Sequence, residues 1–402
     1  MTRPSDTYRW IVVASAAAML AIVMGQLVNG LSVFFIPLEQ EFGWSRGSIA
    51  LINTVGLIGV ALGGIVMGRV ADRAGIRLVC LVAAMAVGLG VGGAAFADQL
   101  WQFYLLFFLA GALGAGALFG PVIAAVGGWF PAGAGLAIGI ASAGQAIGQG
   151  GVPFVAAYLI EALGWRGALL ALGGVSLTAL VPLALAMREP PPVRPMAGRA
   201  TAARQTPTGL TPHRTLFTLS LAVMLCCTCM AVPLIHLVPL IQGYCIPAPE
   251  AGGVLFAMLI AAIAGRVAFG KLADVIGPVG AYLAASLWQT VGVFAFTLIR
   301  DLPMFYLFAP IYGFGYAGVM TGVLVTARAL VPADRRAMHM GIILAFGWLG
   351  HALGGYQGGL FFDLTGGYTV SFANAAAVGV LNLMVVGSLL LRVRRQAALA
   401  AA

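Results

Sequence analysis

The sequence predicts an all-α membrane protein, with twelve transmembrane helices in two pseudo-symmetric six-helix bundles. Three observations carry that class. The 402 residues are 61% hydrophobic and only 8% charged, with mean hydropathy +1.02, whereas a soluble domain carries about 25% charged residues. Apolar blocks of roughly twenty residues, each long enough to cross about 30 Å of hydrocarbon, recur along the whole chain. One octamer pattern also occurs twice, six blocks apart. A β-barrel would need short alternating segments, and these runs are continuous.

The spans follow in order at about 10–36, 47–67, 78–97, 100–125, 134–160, 166–187, 215–243, 251–272, 278–299, 303–330, 338–362 and 369–391. The opening MTRPSDTYRW is too polar and too short to begin a cleaved signal, so span 1 is expected to stay. The 56 glycines allow close helix–helix approach. Aromatic runs such as FYLLFF read as lipid-facing or packing residues. Between spans 6 and 7, REPPPVRPMAGRATAARQTPTGLTPHR is rich in Pro, Arg and Thr, the composition of a flexible cytoplasmic linker. The expected domains are therefore an N-terminal bundle at 1–187, a linker at 188–214 and a C-terminal bundle at 215–402. Cys80, Cys226, Cys227, Cys229 and Cys245 match neither a zinc pattern nor a disulfide framework, so they read as packing residues.

Orientation follows from the bases. With the N-terminus inside, seventeen of the 21 Lys and Arg residues fall on the cytoplasmic side, and three (Arg46, Arg166 and Arg300) fall outside. The positive-inside rule then places both termini in the cytoplasm of a multi-pass protein of the cell inner (plasma) membrane. It also accounts for the net charge of +9 without any nucleic-acid partner. The chain is expected to be monomeric in the bilayer.

The repeated octamers are GRVADRAG, from Gly68 after span 2, and GKLADVIG, from Gly270 after span 8. Two such matches at equivalent places indicate a duplicated six-helix unit. Their glycines permit a tight turn, and Asp72 and Asp274 can pair with bases or cap a helix end. Together with Arg73, Arg77 and Lys271 they are candidates for latching cytoplasmic ends in one conformational state.

At this point the sequence resembles the major facilitator superfamily and, within it, the monocarboxylate and oxalate/formate carrier group. The resemblance rests on GLSVFFIPLEQEFGWSR, GRVADRAGIR, GALGAGALFGP, WFPAGAGLAIGIASAGQAIGQG and GWRGA in the first half. In the second half it rests on IHLVPL, AGRVAFGKLAD and GGYQGGLFFDLTGGY. It implies the major facilitator fold, alternating access by two six-helix halves, and a small carboxylate as cargo.

The ionisable residues sharpen that expectation. All twelve acids fall in loops or at helix ends, so the one deeply placed charge is Arg266, inside LIAAIAGRVAFGKLADVIG. A lone intramembrane cation is costly and marks a function by default. Its fork matches a carboxylate, so a bound anion would compensate the charge, with snorkelling towards Lys271 as the plain alternative. The resemblance points to the same residue, since AGRVAFG aligns with the carriers' substrate-binding arginine. Mammalian members of the group also have an aspartate one turn earlier and a lysine in span 1; this chain has Ala262 and Asn29 there.

His351 sits mid-span in span 11 and can bond a carboxylate or take up a proton; His236, in AVPLIHLVPL, is a second candidate for coupling or gating. Asn29 and Tyr316 are candidate lining residues. Gln145 and Gln149, one turn apart on span 5, can bond substrate or each other. Phe119 occupies a position where the relatives often have tyrosine. Each of these has a structural alternative as an ordinary packed residue.

Neither HExxH nor a Walker motif is present, and no enzyme activity, cofactor or metal is expected. Unlike halves around one arginine favour a carrier over a channel. The leading expectation is secondary transport of a small monocarboxylate such as lactate or pyruvate, with a proton. Exchange of organic anions, dicarboxylates included, is the alternative, and a transporter-like sensor or scaffold the remote one.

Overall fold

A computed structural model describes residues 6–130, 134–190, 209–331 and 336–401. The linker arginines Arg194, Arg199 and Arg204, with Arg335, lie outside these residues, as does the side chain of Asp72. Among the described residues the secondary structure is helical throughout.

Span 1 begins as Asp6–Met24, widens into a π-helical turn at Gly25–Asn29 and tightens to a 3-10 turn at Gly30–Val33. A short helix, Phe35–Phe42, follows it and was not expected from the sequence. Spans 2 and 3 are Arg46–Ala74 and Ile76–Gly93. Span 4 runs through Leu100–Leu109, a second π-helical stretch at Ala110–Ala115, and Gly116–Gly128. Spans 5 and 6 share the continuous stretch Ala134–Ala186, broken only at Gly164, where φ is 71° and ψ 168°. Spans 7 to 10 are Pro212–Gln242, Ala248–Ile276, Pro278–Ala295 and Leu302–Leu330. Spans 11 and 12 are Arg336–Thr365 and Thr369–Ala401. Ten helices among the described residues are long and apolar enough to cross a membrane, with spans 5 and 6 counted as one. Span 11, which carries His339, His351, Gln357 and Asp363, is not among the ten.

The apolar pattern is that of lipid-solvated helices. Phe96, Leu62, Ile65, Val66, Leu307 and Leu391 point outwards, whereas Asn29, Asn53, His236, Gln289 and Asn382 are buried. Hydrocarbon accepts exposed leucine but cannot satisfy an amide, so the polar groups turn inwards.

The chain divides into two compact units, Met1–Arg194 with Ile235–Phe256, and Pro195–Leu234 with Ala257–Ala402. In the first unit, glycines bring span 5 onto span 1. A Cβ on Gly144 or Gly148 would lie 2.0 Å or 1.8 Å from the carbonyl oxygen of Ala17 or Ala21.

One end of this unit is clamped by Arg166, whose guanidinium bonds Asp98 at 2.7 Å and Glu41 at 3.1 Å. It also stands 4.3 Å over the Trp165 ring, while the Trp165 indole donates to Glu41. Phe42 stacks on Trp44 at 4.2 Å, and the Arg166 guanidinium stands 5.7 Å over the Phe42 ring. The opposite end is tied through Tyr8. Its hydroxyl donates to the Ala186 carbonyl at 2.8 Å, and the Arg188 guanidinium lies 4.4 Å from its ring.

Each octamer ends in a glycine with the same unusual backbone. Gly75 has φ 89° and ψ 154°, and Gly277 has φ 83° and ψ 157°. That region is essentially confined to glycine. Matching torsions at matching positions are what a duplicated unit produces. In the first unit the Glu189 carboxylate also accepts from the Ile76 amide, capping span 3.

The second unit is joined by buried amides. Gln289 of span 9 donates to the Cys226 carbonyl of span 7 at 3.0 Å, and Asn382 of span 12 donates to the Ser286 hydroxyl at 3.0 Å.

Candidate functional site

Arg266 reaches its place because spans 8 and 10 approach through glycine. A Cβ on Gly265 would lie 1.9 Å from the Phe314 carbonyl oxygen, and one on Gly313 would lie 2.0 Å from that of Met258. Tyr316 lies on the same stretch of span 10 as Gly313 and Phe314. Tyr316 is itself buried and stacks on Tyr312 at 5.9 Å and 10°.

Arg266 is half-buried, and its Nε is enclosed without a hydrogen-bond partner. No carboxylate among the described residues pairs with it. A guanidinium keeps its charge at any physiological pH, and burial leaves this donor in need of an acceptor. The Tyr312 hydroxyl, also buried and unpartnered, adds a neutral donor to the same pair of spans.

His351 is buried, with Nε2 lacking a partner and the Trp348 ring 6.4 Å away. Among the described residues no hydrogen bond or ring contact joins His351 to Arg266 or Tyr316. These residues belong to the second unit.

In the first unit the π-helical turn of span 1 organises a polar cluster. Where the backbone ladder changes from wide to tight spacing, carbonyls lose their regular partners. Asn53 of span 2 supplies them, its amide donating to the Leu27 oxygen at 3.0 Å and the Val28 oxygen at 2.9 Å. Gln26 donates to the Leu172 oxygen at 3.2 Å and accepts from the Ser176 hydroxyl at 3.0 Å. Asn29, fully buried, donates to the Gln149 carbonyl at 3.3 Å, and its own Oδ1 is unpartnered. The structure therefore brings Asn29 to Gln149, with the backbone of Gln149 as the acceptor.

Gln145 and Phe119 are partly exposed. His236 is fully buried, edge-on to Phe35 at 5.2 Å. Sequence reasoning missed Asn53, Gln26 and Tyr312. An amide in the middle of an apolar run, as in LINTVG, is the signal that would have found Asn53.

Of the candidate latch residues, Arg73, Lys271 and Asp274 are exposed. Arg77 is exposed as well and donates from Nε to the Met187 carbonyl at 3.2 Å. Among the described residues no ion pair joins the octamer residues.

The family model described as Major Facilitator Superfamily matches residues 17–244 and 219–401. Monocarboxylate transporter 13 of Rattus norvegicus is 28% identical over 383 residues, 93% of this chain and 87% of that protein. Monocarboxylate transporter 11 of Homo sapiens is 28% identical over 396 residues, covering 92% and 80%. Among solved structures, a bacterial homologue of the human lysosomal transporter Spinster, inward-facing and unoccupied, superposes with TM-score 0.72 at 16% identity. That match covers 97% of this chain and 98% of the homologue.

Proposed function

The chain belongs to the major facilitator superfamily and is related to monocarboxylate transporters, and from this premise we propose that it carries a small monocarboxylate, of lactate or pyruvate type, together with a proton. The observation that carries the reading is the enclosed, unpartnered Nε of Arg266. A carboxylate accepts two parallel N–H bonds from a guanidinium, and such charge-assisted bonds are roughly twice as strong as neutral ones. The Tyr316 and Tyr312 hydroxyls offer the neutral donors that a keto or hydroxyl group on the acid would need. Asn29, Gln145 and Phe119 are proposed as further lining, and His351 and His236 as carriers of the proton. Arg73, Arg77, Lys271 and Asp274, with Asp72, are proposed to latch the ends of the helices.

Electrostatics favours the proton. A small acid with pKa near 4 is ionised at pH 7, and moving that anion alone against an inside-negative potential costs roughly 2.3 kcal/mol per 100 mV. One co-transported proton removes the penalty. Uptake of radiolabelled acids into proteoliposomes, with and without internal counter-substrate, tests the proposal. Accumulation of lactate or pyruvate driven by an acid-outside gradient is expected. Uptake that depends wholly on internal anion would replace symport by exchange, and a preference for neutral or cationic solutes would remove the carboxylate reading.

A further inference from the structure

A basic cavity lies far along the chain from Arg266, where the start of span 7 meets the last turns of span 12. The two segments touch, since a Cβ on Gly209 would lie 2.4 Å from the Gln396 amide nitrogen. They enclose a cavity of about 470 Å³ lined by His213, Arg214, Phe217, Thr218, Leu389 and Arg392, among others. That volume is in the range of ordinary small-molecule sites, about 300–1,000 Å³.

Arg214 and Arg392 are exposed, and no ion pair engages either among the described residues. Among the described residues no acid lines the cavity. The first N–H groups of the Pro212–Gln242 helix lie at the same end, and they favour negative charge. An apolar collar adjoins the cations: Phe217 is 65% exposed and Leu391, beside Arg392, is 70% exposed. Thr218 and Ser388 donate their hydroxyl protons to the Arg214 and Val385 carbonyls of their own helices, which leaves the basic side chains and the helix N–H groups as the donors for an anion.

The geometry points to a binding site for an anionic phospholipid, its phosphate held by Arg214, Arg392 and His213 and its acyl chains lying along Phe217 and Leu391. Basic pockets between helices at the end of a membrane bundle recognise this chemistry, each basic residue near the surface contributing about 1 kcal/mol. The shared ligand chemistry is a phosphate anion, which solvent also supplies. The collar decides for the lipid, because a soluble phosphate has no use for exposed phenylalanine and leucine at its rim. The site is independent of the carboxylate reading, and its test reads binding alone.

The full chain, purified in a neutral maltoside, is titrated with dioleoylphosphatidylglycerol, dioleoylphosphatidylcholine, glycerol phosphate and inorganic phosphate while thermal unfolding is followed. Phosphatidylglycerol should raise the midpoint saturably, and the other three should not. In the Arg214→Gln/Arg392→Gln double variant its apparent affinity should fall roughly 10- to 30-fold. On the unaltered chain, a photoactivatable phosphatidylglycerol should crosslink within 210–218 and 388–392, a readout that does not depend on the variant folding. Equal stabilisation by phosphatidylcholine, or unchanged affinity in a folded double variant, would overturn the proposal. Stabilisation by glycerol phosphate or inorganic phosphate alone would replace the lipid by a soluble anion. Crosslinks confined to other segments, or no stabilisation at all, would remove the site.

Discussion

Arg266 shows how one residue's chemistry can be read before its surroundings are known. Charge is so rare in this chain that a single guanidinium between apolar neighbours stands out, and its Nε is enclosed without a partner. Truncating one partner of a buried, hydrogen-bonded charge pair costs about 2–5 kcal/mol, so Arg266→Ala should abolish stabilisation by lactate or pyruvate in a thermal-shift titration. Arg266→Lys keeps the charge and loses the fork, and binding should still weaken severely. Wild-type ligand stabilisation in either variant would show that the anchor lies elsewhere. His351 is argued on its own. Its buried Nε2 has no partner, so if it carries the proton, His351→Gln should remove the acid-outside stimulation of uptake while leaving carboxylate binding in place. Stimulation that persists would transfer the proton to the substrate or to His236.

Among the elements, the turn after each octamer isolates a backbone effect. Gly75 and Gly277 share one torsion, but a Cβ at Gly277 meets nothing within 4 Å, whereas at Gly75 it would meet the Glu189 carboxylate at 3.0 Å. Gly277→Ala should therefore show torsional strain alone, about 1–3 kcal/mol, as a lowered unfolding midpoint in detergent. Gly75→Ala should lose at least as much, because it also disturbs the cap on span 3. A Gly277→Ala protein that melts like wild type would exclude strain at this turn. The bend in span 1 makes a complementary case. Asn53→Leu keeps the branched heavy-atom skeleton and removes both donors from the Leu27 and Val28 carbonyls, so it should destabilise by about 1–3 kcal/mol per buried acceptor left bare. An unchanged midpoint would mean that the π-helical turn satisfies itself.

At the scale of the whole molecule, the distribution of bases sets the expected topology. A cysteine introduced at position 204 of the linker, in a background cleared of the native cysteines, should resist impermeant maleimide in intact cells and react once the membrane is opened. Labelling from outside would invert the protein. Coupling also belongs here, because the membrane potential acts on net charge moved. Uptake in liposomes with the potential clamped at zero and a pH gradient imposed should proceed with an acid exterior. Insensitivity to pH, with an absolute need for internal anion, would assign exchange.

Composition and period decided the class, the number of helices and most of their limits, because hydrocarbon imposes a minimum length and forbids unpaired backbone. They also singled out Arg266, since a charge at depth needs no neighbour to be conspicuous. The bend of span 1 was not legible. π-helical and 3-10 turns depend on donors from elsewhere, here Asn53, and a donor 25 residues away leaves no local trace. Nor was the close approach of spans 8 and 10 beside Arg266 legible. It arises where Gly265 and Gly313 let two backbones close on each other, and a glycine in an apolar run looks the same whether it faces lipid or another helix. Sequence determines which groups must find partners; only the packed helices decide which partners they find.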